Sequence, residues 1–305
     1  MPNIWTHIHF AQSLLDTLEN TERYKVLSPF INLGAQGPDP FFYHRFWPFL
    51  KSEGVEEVGM RLHTENCGDF LLELIDQGTH AAAPVQAYIF GFITHHILDR
   101  NTHPYIHYRA GYEGNKHQKL EVIIDTLLLD RDRNLKTWRN PVHKEIDVGK
   151  QLDKGLIHLL RNTIEQYYPD LTADLPEDYI QASYRDMKTA MRVLYDPAGW
   201  KNKLLGSLVS SFSHQPVEET EDYLNTKEQE WRHPATGETR QESFDTLYNN
   251  AFEEGKDILY LVTEYWRNGA ADSLEQLKEK LADISYDTGE PLHKKATNQY
   301  SDPIV

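Results

Sequence analysis

Two histidine–carboxylate pairs in the first half of the chain are the residues best suited to do chemistry. His95 and Asp99 are four residues apart, and so are His117 and Glu121. Four residues is about one helical turn, so within a helix each pair lies on one face and can share a cation. One such pair is common as a surface ion pair. Two pairs in succession favour a divalent metal held by imidazole and carboxylate ligands.

Histidine is unusually concentrated in the same region. Ten of the 15 histidines lie within the first 117 residues. Cys67 is the only cysteine, which excludes an intrachain disulfide and any site built from several thiolates. A metal must therefore be bound by histidine and carboxylate. Further candidate ligands are His7, His63, and Asp39 in a loop rich in glycine and proline.

The charge balance narrows the possible partners. The chain has 31 Lys and Arg against 47 Asp and Glu, a net charge of −16, and no block of basic residues. This argues against a nucleic-acid polymer or an anionic membrane as a tight partner. No apolar run is long enough for a transmembrane segment, and no basic stretch with an apolar run opens the sequence. We therefore expect a cytoplasmic protein.

The spacing of apolar residues predicts an all-α protein. We expect Pro104 to end the helix that carries His95 and Asp99, and we expect a long loop over 213–237. Residues 1–145 are interpreted as a histidine-rich, metal-binding helical core, and 146–305 as a helical extension packed on it in one compact unit. The predicted helices are 7–20, 55–77, 84–101, 117–130, 149–167, 176–195, 242–267 and 272–282.

The candidate ligands resemble, in order and local sequence, those of the zinc-dependent phospholipases C, all-helical bacterial enzymes with three zinc ions. That family includes phosphatidylcholine-hydrolysing phospholipases and clostridial alpha-toxins. The resemblance covers about the first 130 residues, and it implies a multi-helix bundle also shared with helical zinc nucleases. The matching segments are Thr6-His7, Gly37-Pro38-Asp39-Pro40, Leu62-His63, Gly91 through His95 to Asp99, His103-Pro104-Tyr105-Ile106-His107, and His117 to Glu121.

The resemblance implies a distribution of ligands over the first two ions. His63, His95 and Asp99 would hold one zinc. Asp39 would be a further ligand of that ion, or the catalytic base that acts on the attacking water. His117 and Glu121 would hold a second zinc, completed by a histidine close to Pro104. His103 keeps the helical spacing from Asp99 and is preferred, while His107 follows the Pro-Tyr pair and is the alternative.

A third ion is also implied by the resemblance. His7 would bind it together with a bridging carboxylate from Asp99. In secreted members the first residue of the mature chain chelates this ion as well, and Pro2, exposed by loss of Met1, is the candidate here. We therefore expect two to three zinc ions, with other divalent metals as alternatives.

The resemblance implies a metal-dependent phosphoric ester hydrolase, a phosphodiesterase of the phospholipase C type that uses a metal-activated water. Its substrate would be a phospholipid or a small soluble phosphoester. The alternatives are a zinc nuclease, nucleotidase or phosphomonoesterase, and a non-catalytic binding protein that metal merely stabilises.

Three residues are weaker candidates for binding substrate. Tyr43 and its aromatic neighbours within 41–47 would form a wall for a cationic head group, or a packed part of the core. Arg232 and His233 lie in the expected long loop, where Arg232 would bind a phosphate or form a surface ion pair.

Overall fold

The computed structural model describes residues 4–18, 22–47, 49–51, 53–218, 220–269 and 271–305. Helix is the main secondary structure of the described chain, and strands are almost absent from it, which confirms the all-α prediction. One pair of two-residue strands, β1 (Trp231–Arg232) and β2 (Thr239–Arg240), is antiparallel. The α-helices are α1 (Ile4–Leu15), α2 (Glu22–Lys25), α3 (Ser28–Gly34), α4 (Val55–Thr64), α5 (Cys67–Gly78), α6 (Ala83–Ala110), α7 (Lys116–Arg133), α8 (Lys154–Tyr167), α9 (Pro169–Thr172), α10 (Tyr179–Leu194), α11 (Trp200–Leu205), α12 (Ser207–Ser210), α13 (Phe244–Asn268) and α14 (Ala271–Leu281).

Helix α6 lies at the centre of the molecule. Nearly all of its side chains are buried, because α1, α3, α7 and α13 pack around it. A helix buried on every side normally has apolar residues all round. Here His95, Asp99 and His103 recur every four residues and form a polar stripe inside the core. This stripe faces α1 and α7, which carry further histidines.

The expectation that Pro104 ends this helix is wrong. Helix α6 continues through Pro104 to Ala110. A proline inside a helix has no N–H for the carbonyl four residues earlier, which here is that of Arg100. Gly289 from the C-terminal segment lies against this carbonyl, and a Cβ on Gly289 would be 2.3 Å from the oxygen. Tertiary packing on all sides holds the helix together across the proline.

Other predicted boundaries also differ from the structure. The expected helix 55–77 is two helices, α4 and α5, separated at Asn66, which has a left-handed backbone with φ of 49°. The predicted helix 149–167 begins at Lys154, because the Asp153 carboxylate caps it by accepting from the N–H groups of Gly155 and Leu156. Helix α1 starts at Ile4 and ends at Leu15 rather than spanning 7–20.

Helices α3 and α6 approach each other at two glycines. A Cβ on Gly91 would lie 2.1 Å from the carbonyl oxygen of Ile31, and one on Gly34 would lie 2.0 Å from that of Tyr88. Only glycine fits at such backbone contacts. Gly37, with φ of +49°, then turns the chain over His95, whose ring would be 2.3 Å from a Cβ there. These contacts bring the segment that holds Asp39 against the polar stripe of α6.

The second half of the chain packs on the first. Helix α13 contacts α6, and α14 contacts α5. The described residues of 213–237 form no helix and include β1, in agreement with the expected loop. The division of the chain at residue 145 stays a prediction. Among the described residues, no helix combines the length and the hydropathy required to cross a bilayer.

Candidate metal centre

The carboxylate of Asp99 lies at the middle of a buried group of histidines. Its Oδ1 is 3.3 Å from Nε2 of His7 and 3.4 Å from Nε2 of His103. Its Oδ2 is 3.0 Å from Nε2 of His95 and 3.9 Å from Nε2 of His63. Asp99 is fully buried. One carboxylate therefore faces four imidazoles, two through each oxygen, which is the arrangement of a bridging ligand.

The first candidate group consists of Asp39, His63 and His95. Asp39 begins a short 3₁₀ turn, Asp39–Tyr43, and its Oδ1 is 3.5 Å from Nε2 of His63 and 3.6 Å from Nε2 of His95. Nδ1 of His63 is 2.7 Å from the Gly59 carbonyl oxygen, and Nδ1 of His95 is 3.0 Å from that of Ala35. A carbonyl only accepts, so each Nδ1 carries a proton and donates it. This orients both Nε2 lone pairs towards the carboxylates, as in metal-binding histidines.

The second candidate group consists of His7, His95 and Asp99. The ring of His7 stacks on that of His95, with 4.2 Å between the ring centroids. His7 lies in the first turn of α1. A carboxylate from α7 fixes this turn, because Oδ1 of Asp125 accepts from the N–H and the hydroxyl of Thr6. Asp125 also lies 2.9 Å from Nε2 of His214. Asp125 thus continues the spacing of His117 and Glu121, yet it caps α1 and is absent from the described metal groups.

The third candidate group consists of His103, His117 and Glu121. Oε1 of Glu121 is 2.7 Å from Nε2 of His117 and 3.7 Å from Nε2 of His103. Of the two histidines that the sequence offered beside Pro104, the structure brings His103 to this group. His107 lies one turn further along α6, and its Nε2 is 3.9 Å from Oδ1 of Asp287.

Asp287 is a site residue that sequence reasoning missed. It lies in the C-terminal segment after α14, and its Oδ1 is 3.7 Å from Nδ1 of His103. Burial alone would raise the pKa of Asp287, but His103 and His107 hold it well below its ordinary value. No spacing signal points to Asp287, because its partners are more than 170 residues away along the chain. Only the tertiary fold brings it to them.

A test of whether a metal fits comes from buried atoms that lack hydrogen bonds. Burying such atoms without a partner costs about 1–3 kcal/mol each. At 3.0 Å, the lone pairs of His95 Nε2 and Asp99 Oδ2 repel unless a cation or a proton lies between them. The donor set, imidazole and carboxylate, is one that zinc prefers. The atoms with no hydrogen-bond partner in the described part of the chain include Nε2 of His7, His63, His95 and His103, Oδ1 of Asp39, and both carboxylate oxygens of Asp99.

The protonation states of His103, His117 and Asp99 also suit metal binding. Burial lowers the pKa of His103 to about 4 and that of His117 well below its ordinary value, so both rings are neutral at pH 7. Burial alone would raise the pKa of Asp99, but His103, His95 and His7 hold it well below the ordinary value. Neutral imidazole and ionised carboxylate are the forms that bind metal. Burial raises the pKa of Glu121, and a cation beside it would offset that effect.

A cavity of about 480 Å³ opens onto this centre. His63 and His117 reach it from the metal groups, beside His107 and Asp287. The rest of its lining is largely apolar and aromatic, and includes Tyr43, as the hypothesis of an aromatic wall requires. The apolar and aromatic lining residues are Phe42, Tyr43, Phe46, Met60, Tyr112 and Phe212.

The structure does not bring Arg232 or His233 to the described lining of this cavity. Arg232 is exposed in β1. His233 is buried, and its Nδ1 accepts from the N–H groups of Ala235 and Thr236, each at 3.2 Å. The ring therefore organises a turn. Pro2, the expected third-site ligand, lies outside the described residues.

Comparison with known proteins identifies the family. The family model described as zinc dependent phospholipase C matches residues 6–181, more than half of the 305 residues. The chain belongs to the zinc-dependent phospholipase C family. No curated protein and no solved structure matches the chain. The matched part of the chain runs from the first turn of the His7 helix through α7 and α8 to the first residues of α10.

Family and geometry together indicate a metal-dependent phosphoesterase in general terms. The members of the zinc-dependent phospholipase C family are all-helical, as the described chain is. The three candidate groups lie within the matched range, whereas a fourth set of possible ligands, His103, His107 and Asp287, includes a residue outside it. Asp287 lies more than 100 residues beyond the end of the match.

Proposed function

We propose that this protein is a zinc-dependent phosphodiesterase of the phospholipase C type, holding two to three ions and hydrolysing its substrate with water. The observation that carries the proposal is Asp99, a buried carboxylate flanked on both oxygens by histidines, of which His63 lines an open cavity. A purely structural zinc site is closed by four protein ligands. A centre whose histidines line a cavity of about 480 Å³ is accessible to a substrate.

The candidate ligands divide among three ions. His63, His95 and Asp99 would hold one ion, with Asp39 beside it, and His103, His117 and Glu121 a second. His7 would bind a third with Asp99. Zinc in such positions polarises a phosphoryl oxygen and lowers the pKa of water from about 16 towards about 7. No covalent nucleophile on the protein is then required.

Asp39 is the residue we assign to the attacking water. It is nearly buried, and the backbone around it is fixed by Gly37 and the 3₁₀ turn. Its Oδ1 lies close to both His63 and His95. A carboxylate in this position orients a water molecule and accepts its proton, a contribution of about 10²–10⁴-fold for a general base.

The cavity favours a diester with an organic substituent over a bare phosphate. Phe42, Phe46 and Phe212 give one side of it an apolar surface, while His63 and His117 provide the polar floor. Phe42 packs against His63, with 5.5 Å between ring centroids, so the apolar wall adjoins the metal groups directly. A phosphoryl group would lie on the floor, and its ester substituent would lie against the aromatic wall, which also suits a cationic head group.

The test combines metal content with hydrolysis. Protein purified without chelator or metal-affinity resin is analysed for elements and assayed with a chromogenic phosphodiester and the matching phosphomonoester. Two to three zinc ions per chain with faster turnover of the diester support the proposal. His117→Ala should lose about one equivalent of zinc, whereas His158→Ala, an exposed histidine on α8, should retain all of it.

Other outcomes point to the alternatives. Faster turnover of the monoester, or of mononucleotides, would assign the centre to a phosphomonoesterase or nucleotidase. Bound zinc without turnover of any phosphoric ester would leave a binding protein that metal stabilises. An unchanged zinc content in His117→Ala would remove His117 from the metal centre.

A further inference from the structure

The C-terminal loop 284–291 is built against the candidate metal centre although it lies outside the family match. Its two ends meet in an isolated bridge between Ile284 and Pro291. Between them, the Ser285 side chain accepts from the N–H groups of Asp287 and Thr288. The N–H of Gly289 donates to the Ser285 carbonyl at 3.0 Å. The loop therefore holds its own shape, with Asp287 at its turn.

Contacts with α4 and α6 attach this loop to the helices that carry the ligands. The N–H of Tyr286 donates to the carbonyl of His63 at 3.0 Å. Nε2 of His96 lies 2.9 Å from the Ile284 carbonyl oxygen, to which it donates. Gly289 lies on the Arg100 carbonyl that Pro104 leaves without its helical partner. The position of Asp287 relative to α6 is therefore fixed by contacts on both sides of it.

Asp287 faces Nδ1 of His103, a candidate ligand of the second ion, and Nδ1 of His7 likewise has no hydrogen-bond partner within the described residues. His63 and His95 each donate from Nδ1 to a carbonyl, which fixes the tautomer that leaves Nε2 for metal. In His103, Nε2 faces Asp99 and Glu121, while Nδ1 faces Asp287 at 3.7 Å. Nδ1 of His103 is buried and makes no hydrogen bond to the described chain. A carboxylate on this side is an acceptor for the Nδ1 proton, as the carbonyls are for His63 and His95.

We infer that Asp287 is a positioning residue of the metal centre: its carboxylate holds the Nδ1–H of His103, so that Nε2 is presented to the ion bound with His117 and Glu121. The inference rests on the proposed function for the identity of the ion. The C-terminal loop would then contribute a positioning residue to the metal centre. Loss of such an acceptor behind a metal-binding histidine typically weakens metal affinity by about 10–100-fold.

The experiment measures zinc release from the folded protein into a chromogenic chelator. The wild type is compared with Asp287→Ala, which removes the acceptor, and Asp287→Asn, which keeps an acceptor oxygen without the charge. Glu290→Gln is the matched control, because Glu290 lies in the same loop but pairs with Lys294. We expect one zinc equivalent to leave about 10–100-fold faster from Asp287→Ala, an intermediate rate from Asp287→Asn, and wild-type rates from Glu290→Gln.

The remaining zinc equivalents distinguish positioning from a general structural effect. They should leave all variants at the wild-type rate, and the metal-free forms of the variants should unfold at the same temperature as metal-free wild type. Wild-type release from Asp287→Ala would overturn the inference. So would equal acceleration of every equivalent, or complete loss of one equivalent from both Asp287 variants, which would make Asp287 a ligand.

Failure of the proposed function and failure of the inference about Asp287 would give different results. If wild-type protein retains zinc and Asp287→Ala loosens one equivalent, but no phosphoric ester is hydrolysed, then Asp287 positions His103 in a centre that is not a hydrolase. If esters are hydrolysed and Asp287→Ala releases zinc like the wild type, the function stands and the role of Asp287 is overturned.

Discussion

At the scale of residues, Asp99 and Asp39 have different surroundings and hence different tasks. Asp99 faces histidines through both oxygens, and it is fully buried at the middle of the polar stripe. Asp39 approaches the histidines through one oxygen only, at 3.5 and 3.6 Å. We expect substitution of Asp99 to remove metal and substitution of Asp39 to affect the reaction most directly.

Asp39→Asn should lower kcat for a phosphodiester by about 100-fold or more, because an amide cannot accept the proton of the attacking water. Zinc content and helical circular dichroism should stay at wild-type values. Asp147→Asn, the same change at an exposed site on another part of the chain, should leave kcat unaltered. Full activity in Asp39→Asn would exclude a base, and a lost zinc equivalent would make Asp39 a ligand.

At the scale of elements, the site depends on how closely helices approach. Asp39 is carried to His95 because α3 contacts α6 through Gly34 and Gly91, with no side chain between the two backbones. A helical glycine normally costs about 1 kcal/mol relative to alanine. In α6 this cost is offset by packing that no other residue allows.

Gly91→Ala should destabilise the protein by at least about 1–3 kcal/mol, since its Cβ would meet backbone atoms of α3 at 2.1–2.7 Å. It should also lower kcat for a phosphodiester by moving Asp39 away from His95. Gly155→Ala, at the exposed start of α8, should destabilise less, because the nearest atom to its Cβ would be a side-chain oxygen, Oδ1 of Asp153, at 3.0 Å. Chemical denaturation measures the free energy of unfolding of both variants. A Gly91→Ala protein as stable as wild type would show that α3 shifts without cost.

The turn at the end of β1 should make stability depend on pH through His233. Burial, followed by Arg240, lowers the pKa of His233 below 6.5, while Glu290 and Glu238 oppose this. Below pH 6.5 the unfolded chain therefore takes up a proton that the folded chain resists. The contribution to stability is present above pH 6.5 and is lost as the pH falls.

His233→Asn keeps an acceptor for the two N–H groups but does not titrate. The free energy of unfolding should fall less steeply in this variant than in wild type between pH 7 and 5, by at most about 1.4 kcal/mol per pH unit. Denaturation at matched zinc concentrations measures the difference. Identical slopes in the two proteins would contradict a buried, neutral His233.

At the scale of the whole molecule, metal binding and folding are coupled. The candidate ligands come from α1, α4, α6, α7 and the turn after α3, so an ion would connect elements that are distant in the sequence. Without a cation, buried carboxylates and imidazole lone pairs face one another in the core. Binding to the folded state alone adds about 4 kcal/mol at a thousand-fold excess over Kd.

Chelation should therefore lower Tm by roughly 10 °C, by the relation between free energy and Tm for domains of 150–250 residues. Hydrogen exchange should speed up mainly in α1, α6 and α7. Zinc should restore Tm, whereas magnesium, which prefers oxygen ligands, should not. An unchanged Tm after complete removal of zinc would show that the core tolerates these groups without an ion.

The sequence alone was sufficient to predict the all-α class and the family. It did so because the polar residues of a buried helix recur every four positions, and local spacing in a helix fixes which side chains share a face. The structure brings His95, Asp99, His117 and Glu121 into groups that follow from this rule. Pro104 was misjudged because local preference predicts a helix end, whereas packing on every side overrides it.

Only the tertiary structure decided which partners meet across the chain. Asp125 has the same spacing as the metal candidates, yet it caps α1, because α7 lies beside the first turn of that helix. Both His103 and His107 fit the sequence pattern, and the position of Glu121 selects His103. Asp287 is unremarkable in the sequence and faces His103 because a loop fixed to α4 and α6 carries it there. Helical spacing predicts which side chains share a face within one helix, whereas contacts between elements depend on how the whole chain packs.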